Sequence, residues 1–180
     1  MRQILGIDPG ITCTGYGLIE AAGDRVVFLA DGEIRPSRSD SFPSRLKTIF
    51  DGLNALLAAH APTVMAVEET FLARNFPAAL RLGQARGVAL LAAAMHDLPV
   101  FEYSPTQVKM AVVGNGRASK VQVGLMVSRL LNLPRPVASE HAADALAIAI
   151  CHLHSTPKHS ANRAPANHTS PRIGQRAGVQ

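Results

Sequence analysis

The chain has very little cysteine: Cys13 and Cys151 are the only two in 180 residues. Two cysteines so far apart do not indicate the disulfide framework that holds small secreted domains together. No run of apolar residues is long and pure enough to span a bilayer. The first residues, MRQILGIDPG, reach a charge at Asp8 before any adequate signal-peptide core. We therefore expect a cytoplasmic protein with no membrane segment.

Acidic residues are absent from residues 155–180, whereas four basic residues lie there. This segment therefore accounts for most of the net charge of +5. Without that segment, residues 1–154 hold 14 basic and 13 acidic side chains, a balance of +1. Bulk charge is therefore a weak indication of a polyanionic partner. The segment is rich in Ser, Pro, Asn and Gly and has too few large apolar residues to offset its ordering entropy. We predict one folded domain over 1–154 and a basic, disordered tail over 155–180.

The hydrophobic pattern of the folded part predicts an α/β domain. Short apolar runs bounded by turn residues predict five strands, QILGID, TGYGLIEA, RVVFLADGEI, TVMAVEE and LPVFEY. Helical spacing or capping residues predict helices over 41–60, 77–95 and 118–131, a helix opening at Ser104-Pro105 and a last one after Ser139. Three successive strands followed by alternating helices and strands indicate a five-stranded mixed sheet flanked by helices.

Two carboxylates stand where a core would exclude them. Asp8 ends the first apolar strand, and Glu68 ends the fourth. Asp144 lies in the otherwise apolar run AADALAIAI, with His141 three residues before it, so these two side chains share a helix face. We expect all four groups to converge at one edge of the sheet.

Such a cluster favours a cation, because converging acids repel each other and are costly to desolvate. Mg²⁺ prefers carboxylate oxygens, and two ions about 3.5–4 Å apart can clamp the reacting oxygens of a phosphodiester. Taken singly, each residue has a structural explanation: Asp8 as a turn former, Asp144 as a paired helix acid and His141 as a surface histidine. The spacing alone predicts a metal site and no particular reaction.

Six motifs taken together resemble the bacterial RuvC-type Holliday-junction resolvases over essentially all of 1–154. They are LGIDPG, TGYG, VEETFLARN, LGQARG, VKMAVVGNG and HAADALAIA. The resemblance implies a ribonuclease-H-like fold and a homodimer. It also implies paired, symmetric, metal-dependent nicks in four-way DNA junctions during recombination and repair, in partnership with the RuvA–RuvB branch-migration complex.

The resemblance also assigns the site. Asp8, Glu68 and Asp144 match the family's catalytic, metal-binding acids, with two Mg²⁺ or Mn²⁺ ions expected per site. His141 departs from the family's best-known Asp-x-x-Asp pattern. Because imidazole favours transition metals more than a carboxylate does, His141 makes Mn²⁺ a well-suited ion. Glu69 and Glu140 are adjacent in sequence to motif positions and face elsewhere.

Candidate DNA contacts are Phe71, Arg74, Lys109 and Lys120, of which the first three lie within these motifs and Lys120 follows VKMAVVGNG. An aromatic side chain such as Phe71 can stack on an unpaired base; without that role, it would plug the core at a strand end. Lys109 and Lys120 match basic residues near the cut strand, and without the match they would be read as solvated. Further candidates for phosphate contacts are Arg81, Arg86 and Arg117.

Small residues recur at Ala79, Gly83 and Gly87 on the second helix. This stripe could let the helix sit close to the sheet or let it meet a second copy of itself. A two-fold dimer suits a substrate with two equivalent strands.

Other function classes remain open from the residues alone. A first strand followed by Asp-x-Gly also opens sugar-kinase and actin-like ATPase folds, although 154 ordered residues are too few for their second lobe. A junction-binding protein without catalysis and a ribonuclease-H-type nuclease are also compatible with these residues.

Overall fold

The computed structural model describes residues 2–23, 25–69 and 76–155. In chain order the elements are β1 (Arg2–Asp8), β2 (Thr14–Ala22), β3 (Arg25–Ile34), α1 (Phe42–His60), β4 (Val64–Glu68), α2 (Phe76–Met95), β5 (Val100–Tyr103), α3 (Pro105–Val113), α4 (Lys120–Leu130) and α5 (Glu140–Ser155). The predicted elements agree with these bounds to within two residues. Of the predicted tail, only Ser155 is described, and it belongs to α5.

The five strands form one sheet in the order β3-β2-β1-β4-β5. The first three strands pair antiparallel, as hairpins should, whereas β4 and β5 run parallel to β1 after helical crossovers. Because β1 and β4 are parallel neighbours, their carboxyl ends lie side by side at one edge. The predicted five-stranded mixed sheet flanked by helices is confirmed.

The sheet separates two apolar cores, and side chains alternate between them along each strand. In β1, Ile4 packs on the side of α3, α4 and α5, whereas Leu5 and Ile7 pack on the side of α1 and α2. In β4, Val64 belongs to the first core and Met65 to the second. The alternation places every second residue of β1 and β4 beneath α5.

Serine caps fix where α3 and α4 begin. Ser104 and Gln107 form a capping box at the start of α3, and Ser119 and Gln122 form one at the start of α4. Since Ser119 is the cap, Lys120 is the first residue of α4. No helix among the described residues is long and apolar enough to cross a membrane.

The small-residue stripe of α2 does not face the sheet. A Cβ built on Gly83 or Gly87 meets no atom within 4 Å. The α2 residues buried in this core are instead Ala85, Ala89, Ala92 and Ala93. The interpretation that Gly83 and Gly87 let the helix sit close to the sheet is therefore wrong, because the apolar face of α2 is formed by alanines on its opposite side.

Candidate functional site

Asp8 and Glu68 lie on the sheet face that α5 covers. Each is two residues beyond a small residue of that face, Gly6 in β1 and Ala66 in β4, which are register partners. Asp8 is the last residue of β1, and its side chain is only 15% exposed. The strand ends therefore hold both carboxylates on rigid backbone, side by side.

Close packing of α5 on glycines brings His141 and Asp144 over these acids. A Cβ on Gly6 would lie 2.0 Å from the carbonyl oxygen of Ala145, and one on Gly15 would lie 2.1 Å from that of His141. Both distances are impossible for real atoms, so only glycine admits the helix at this depth. Gly15 is also the β2 partner of Asp8, which places the first turn of α5 directly above the acid.

His141 contacts Asp8 directly. Its Nδ1 lies 2.8 Å from Asp8 Oδ2 in a hydrogen bond between α5 and β1. The imidazole is 44% exposed, so its ring reaches from the buried carboxylate to solvent. Asp8, the acid of the first strand, and His141, at the first position of the Asp-x-x-Asp pattern, are therefore in direct contact.

Lys120 closes the site from α4. Its Nζ lies 2.8 Å from Asp144 Oδ2 and 2.6 Å from Glu140 Oε1. Burial lowers the pKa of Lys120, but the hydrogen bonds to Asp144 and Glu140 outweigh burial and raise it above its ordinary value. The ammonium is a fixed positive charge among carboxylates.

The pKa values of Asp8 and Glu68 are both raised within the cluster. Burial raises the pKa of Asp8, and the hydrogen bond from His141 opposes this effect. Burial, followed by repulsion from Asp8 and Asp144, raises the pKa of Glu68 to about 7. The charges of Lys120 and Lys109 act in the opposite direction, which places Lys109 of α3 in the same neighbourhood.

The donor set suits a divalent cation, although it is not arranged around one. Among the described residues, no three acid, imidazole or thiol groups stand together as a ready metal-binding group. His141 engages Asp8, and Lys120 engages Asp144, so the donors pair with each other. Burial and then repulsion from Asp8 and Asp144 raise the pKa of Glu68 to about 7, and added positive charge would relieve that repulsion. Asp8, Glu68, His141 and Asp144 are the groups that could hold it.

We expect Glu68→Gln to make the metal-free protein more stable above neutral pH. The pKa of Glu68 is about 7 in the folded protein against an ordinary 4.5, so folding favours its protonated form. Wild-type stability should therefore fall as pH rises from about 4.5 to 7, whereas the glutamine variant lacks this loss. Above this range the variant should gain about 2 kcal/mol, less than the full pKa difference implies, because Glu68 is part-exposed.

Urea unfolding in chelator across this pH range measures the difference. Glu69→Gln changes the neighbouring, exposed acid and should leave the pH profile as in wild type. Parallel profiles for wild type and Glu68→Gln would contradict the electrostatic description of the cluster.

The candidate DNA contacts divide into three groups. Phe71 and Arg74 lie outside the described residues. Lys120 contacts Asp144 of the cluster, and Lys109 lies near enough for its charge to lower the pKa of Glu68. Among the arginines, Arg86 is ion-paired with Glu102. Arg81 lines a cleft of about 310 Å³, and Arg117 is exposed before α4. The cleft is lined by Ile11, Pro77, Ala78, Arg81 and Leu82.

Glu33 is an acid at the site margin that the sequence patterns did not single out. It lies near the end of β3, opposite Gly15, and accepts hydrogen bonds from Ser139 and Arg35. These bonds, with that of Ser139 first, lower the pKa of Glu33 to about 2. The available signal was its position: Glu33 is a third acid near a strand end, in the run ADGEI.

Comparison with known proteins identifies the family of this site. Residues 4–152 match the family model described as crossover junction endodeoxyribonuclease RuvC. A protein of that name from Citrifermentans bemidjiense is 55% identical over 152 residues, covering 84% of this chain and 92% of the relative. One from Pelobacter propionicus is 50% identical over 170 residues, covering 93% and 96%.

Solved structures agree in fold. Thermus thermophilus RuvC in complex with a Holliday junction substrate superposes with a TM-score of 0.81 at 36% identity, covering 86% of this chain and 94% of that one. The yeast mitochondrial Holliday junction resolvase Ydc2, at 19% identity, matches with a TM-score of 0.62 and shows the fold alone. The fold is the ribonuclease-H-like α/β fold that the motifs imply. From a family match over 149 residues and half-identical relatives, this chain belongs to the RuvC family of crossover junction endodeoxyribonucleases.

Proposed function

We propose that this chain resolves four-way Holliday junctions by paired, symmetric nicks made at the cluster of Asp8, Glu68, His141 and Asp144. Family membership supplies the class of reaction, a DNA endonuclease acting on crossover junctions. The observation that carries the assignment of the site is the convergence of a β1 acid, a β4 acid and an α5 His/Asp pair at one sheet edge. The biological context is homologous recombination and DNA repair.

Nucleases of this family depend on divalent metal ions. We propose two ions per site, Mg²⁺ or Mn²⁺, held by the same four residues. When bound, such cations supply positive charge beside the scissile phosphate. Asp8 keeps its position because β1 and the hydrogen bond from His141 hold it. Positive charge close to Glu68 opposes the effects that raise its pKa and favours the ionised carboxylate that can bind a cation.

Lys120 and Lys109 serve the substrate in this proposal. Lys120 forms ion pairs with two residues of α5, Asp144 and the exposed Glu140. A phosphate that enters the site competes for this ammonium, which is a compact point charge on a flexible stem. Lys109, on neighbouring α3, adds a second cation. Phe71 and Arg74 complete the proposed DNA surface as predictions from the family motif.

A homodimer fits the junction, because two copies related by two-fold symmetry present two equivalent sites. The α2 face that turns away from the sheet supports this proposal. Gly83 and Gly87 leave it smooth, and Leu80, Leu91 and Met95 at helical spacing are 56%, 54% and 64% exposed. An apolar strip of this kind suits a second α2. Partnership with RuvA–RuvB stays a prediction from the family resemblance, and a cytoplasmic location stays a prediction from the sequence.

Cleavage of synthetic substrates tests the function. We expect symmetric nicks in a four-way junction with Mg²⁺ or Mn²⁺, and no comparable cutting of linear duplex or RNA–DNA hybrid. Preferential cutting of the hybrid would indicate a ribonuclease instead. Tight junction binding without nicks under any divalent ion would indicate a binding protein without catalysis.

His141→Asp should change the preferred metal. Imidazole favours transition metals, and a carboxylate favours hard cations such as Mg²⁺. We expect the ratio of the single-turnover rate in Mn²⁺ to that in Mg²⁺ to fall about tenfold in the variant. His60→Asp makes the same replacement at the exposed end of α1 and should leave the ratio unchanged. An unaltered ratio in His141→Asp would show that position 141 does not select the ion.

A further inference from the structure

The carboxylate of Glu33 lies in the same row of the sheet as the proposed catalytic acid. Glu33 pairs with Gly15 of β2, and Gly15 pairs with Asp8 of β1. Residues opposite each other in neighbouring strands point to the same face. Glu33 and Asp8 therefore both face the first turn of α5, from either side of the gap that Gly15 leaves.

Three segments meet at Glu33. Its carboxylate accepts a hydrogen bond from the hydroxyl of Ser139 and one from Nε of Arg35 at 2.5 Å, and the Cys13 thiol lies near enough to influence its pKa. Its side chain is only 15% exposed. Cys13 is buried in the β1–β2 loop that follows Asp8. Glu33 thus joins the end of β3 to the residue preceding α5, beside that loop.

Ser139 is the cap of α5. Its Oγ accepts from the backbone N–H of Ala142 at 3.2 Å, and its carbonyl accepts from that of Ala143 at 2.9 Å. The hydroxyl that caps the helix is the same one that donates to Glu33. A serine hydroxyl has one donor and two acceptor positions, so both bonds can form together. Glu33 therefore holds the end of the helix itself, two residues before His141.

The opposite side of this turn is held by Lys120, through Glu140 and Asp144. The two attachments differ in what substrate does to them. Lys120 is the group that an incoming phosphate draws away, whereas Glu33 is shielded among Ser139, Arg35 and Cys13. When Lys120 leaves, the contacts of Ser139 with Glu33 and of His141 with Asp8 are the side-chain attachments that still hold the turn.

We propose that Glu33 is a positioning residue of the nuclease site, which acts through Ser139 to hold His141 and Asp144 in register with Asp8. The proposal rests on the proposed function of that site. Glu33 touches none of the four clustered groups in the described hydrogen bonds, and its effect passes through the helix end. Groups behind a metal site that orient its ligands commonly change metal affinity or activity by 10–100-fold when removed.

Two alanine variants and one conservative replacement test this. Glu33→Ala and Ser139→Ala should each speed amide hydrogen exchange at Ala142 and Ala143 about tenfold without metal, because the cap loses its support or its hydroxyl. Each should weaken Mn²⁺ binding, followed by electron paramagnetic resonance, about tenfold and slow junction cleavage below metal saturation by about 10–100-fold. Ser139→Thr keeps the hydroxyl and should restore both properties.

Coupling between the two residues separates this role from a merely structural one. The double variant Glu33→Ala/Ser139→Ala should be no worse than the more impaired single variant, and high Mn²⁺ should recover its cleavage rate. Asp51→Ala, which breaks an exposed ion pair with Lys47 on α1, is the matched control and should change nothing.

Exchange rates and Mn²⁺ affinity within about twofold of wild type in both single variants would overturn the proposal. So would additive losses that excess metal does not recover. Because exchange and metal binding are read without DNA, the proposal can fail while the wild-type protein still resolves junctions. Conversely, it can hold if the substrate proves to be a different nucleic acid.

Discussion

Asp8→Asn should abolish nicking of a four-way junction while leaving junction binding intact. The variant removes the carboxylate that β1 holds most firmly and that His141 contacts at 2.8 Å. An amide oxygen carries no net charge, so the cluster loses a third of its carboxylate charge toward any cation. We expect single-turnover cleavage to fall by at least about 10³-fold, which corresponds to about 4 kcal/mol of transition-state stabilisation.

Binding and stability should behave differently from cleavage in this variant. Loss of a negative charge beside DNA phosphates does not weaken binding, so junction affinity in chelator should stay within about threefold of wild type. Burial raises the pKa of Asp8, which means that folding disfavours its ionised form. Above the raised pKa, the neutral amide relieves that cost, and we expect Asp8→Asn to unfold at no lower temperature than wild type.

Asp51→Asn is the matched control for charge. It makes the same replacement in an exposed pair with Lys47, on α1 of the opposite sheet face. Its cleavage rate should equal that of wild type. Residual cleavage by Asp8→Asn within about tenfold of wild type would contradict the assigned site, and loss of binding together with cleavage would point to misfolding.

Gly15→Ala should severely damage the fold of the site, although it adds only one methyl group. The added Cβ would lie 2.1 Å from the carbonyl oxygen of His141 and 2.9 Å from its Cβ. The nearest of these atoms belongs to the backbone, so no rotamer change relieves the overlap, and α5 must move away from the sheet. We expect a loss of about 3 kcal/mol, or about 10 °C in melting temperature.

The displaced turn carries His141, so cleavage by the folded fraction of Gly15→Ala should also fall, by about 10²-fold. Gly124→Ala is the control, because a Cβ there meets nothing within 4 Å. It lies within α4, where alanine should stabilise by about 0.5–1 kcal/mol. A Gly15→Ala protein that melts and cuts like wild type would refute the close approach of α5.

Much of the fold follows from sequence patterns because those patterns are local. Short apolar runs bounded by turn residues predict β1 and β4, and helical spacing with serine caps predicts the helices. Acids at strand ends are rare enough to mark Asp8 and Glu68, and three-residue spacing puts His141 and Asp144 on one face. Parallel pairing of the two strands then requires their ends to share an edge. The family motifs added the reaction and the expected metal dependence.

Other features depended on atoms that are distant in the chain. The spacing of the small residues in α2 could not show whether their face points toward the sheet or away from it. Helical periodicity is the same in both cases. Gly83 proved to face outward. Likewise, the sequence marks Lys120 as basic, but only packing of α4 against α5 places its ammonium between Asp144 and Glu140.

The sequence by itself determined the elements, the four clustered residues and the class of enzyme. The tertiary structure decided how these residues are held: α5 lies on Gly6 and Gly15, and Glu33 joins Ser139 across 106 positions of the chain. The physical reason is that the local sequence pattern indicates which face of a helix or strand a side chain occupies. The partner it meets on that face depends on depth, register and approach, which arise only when distant segments pack together.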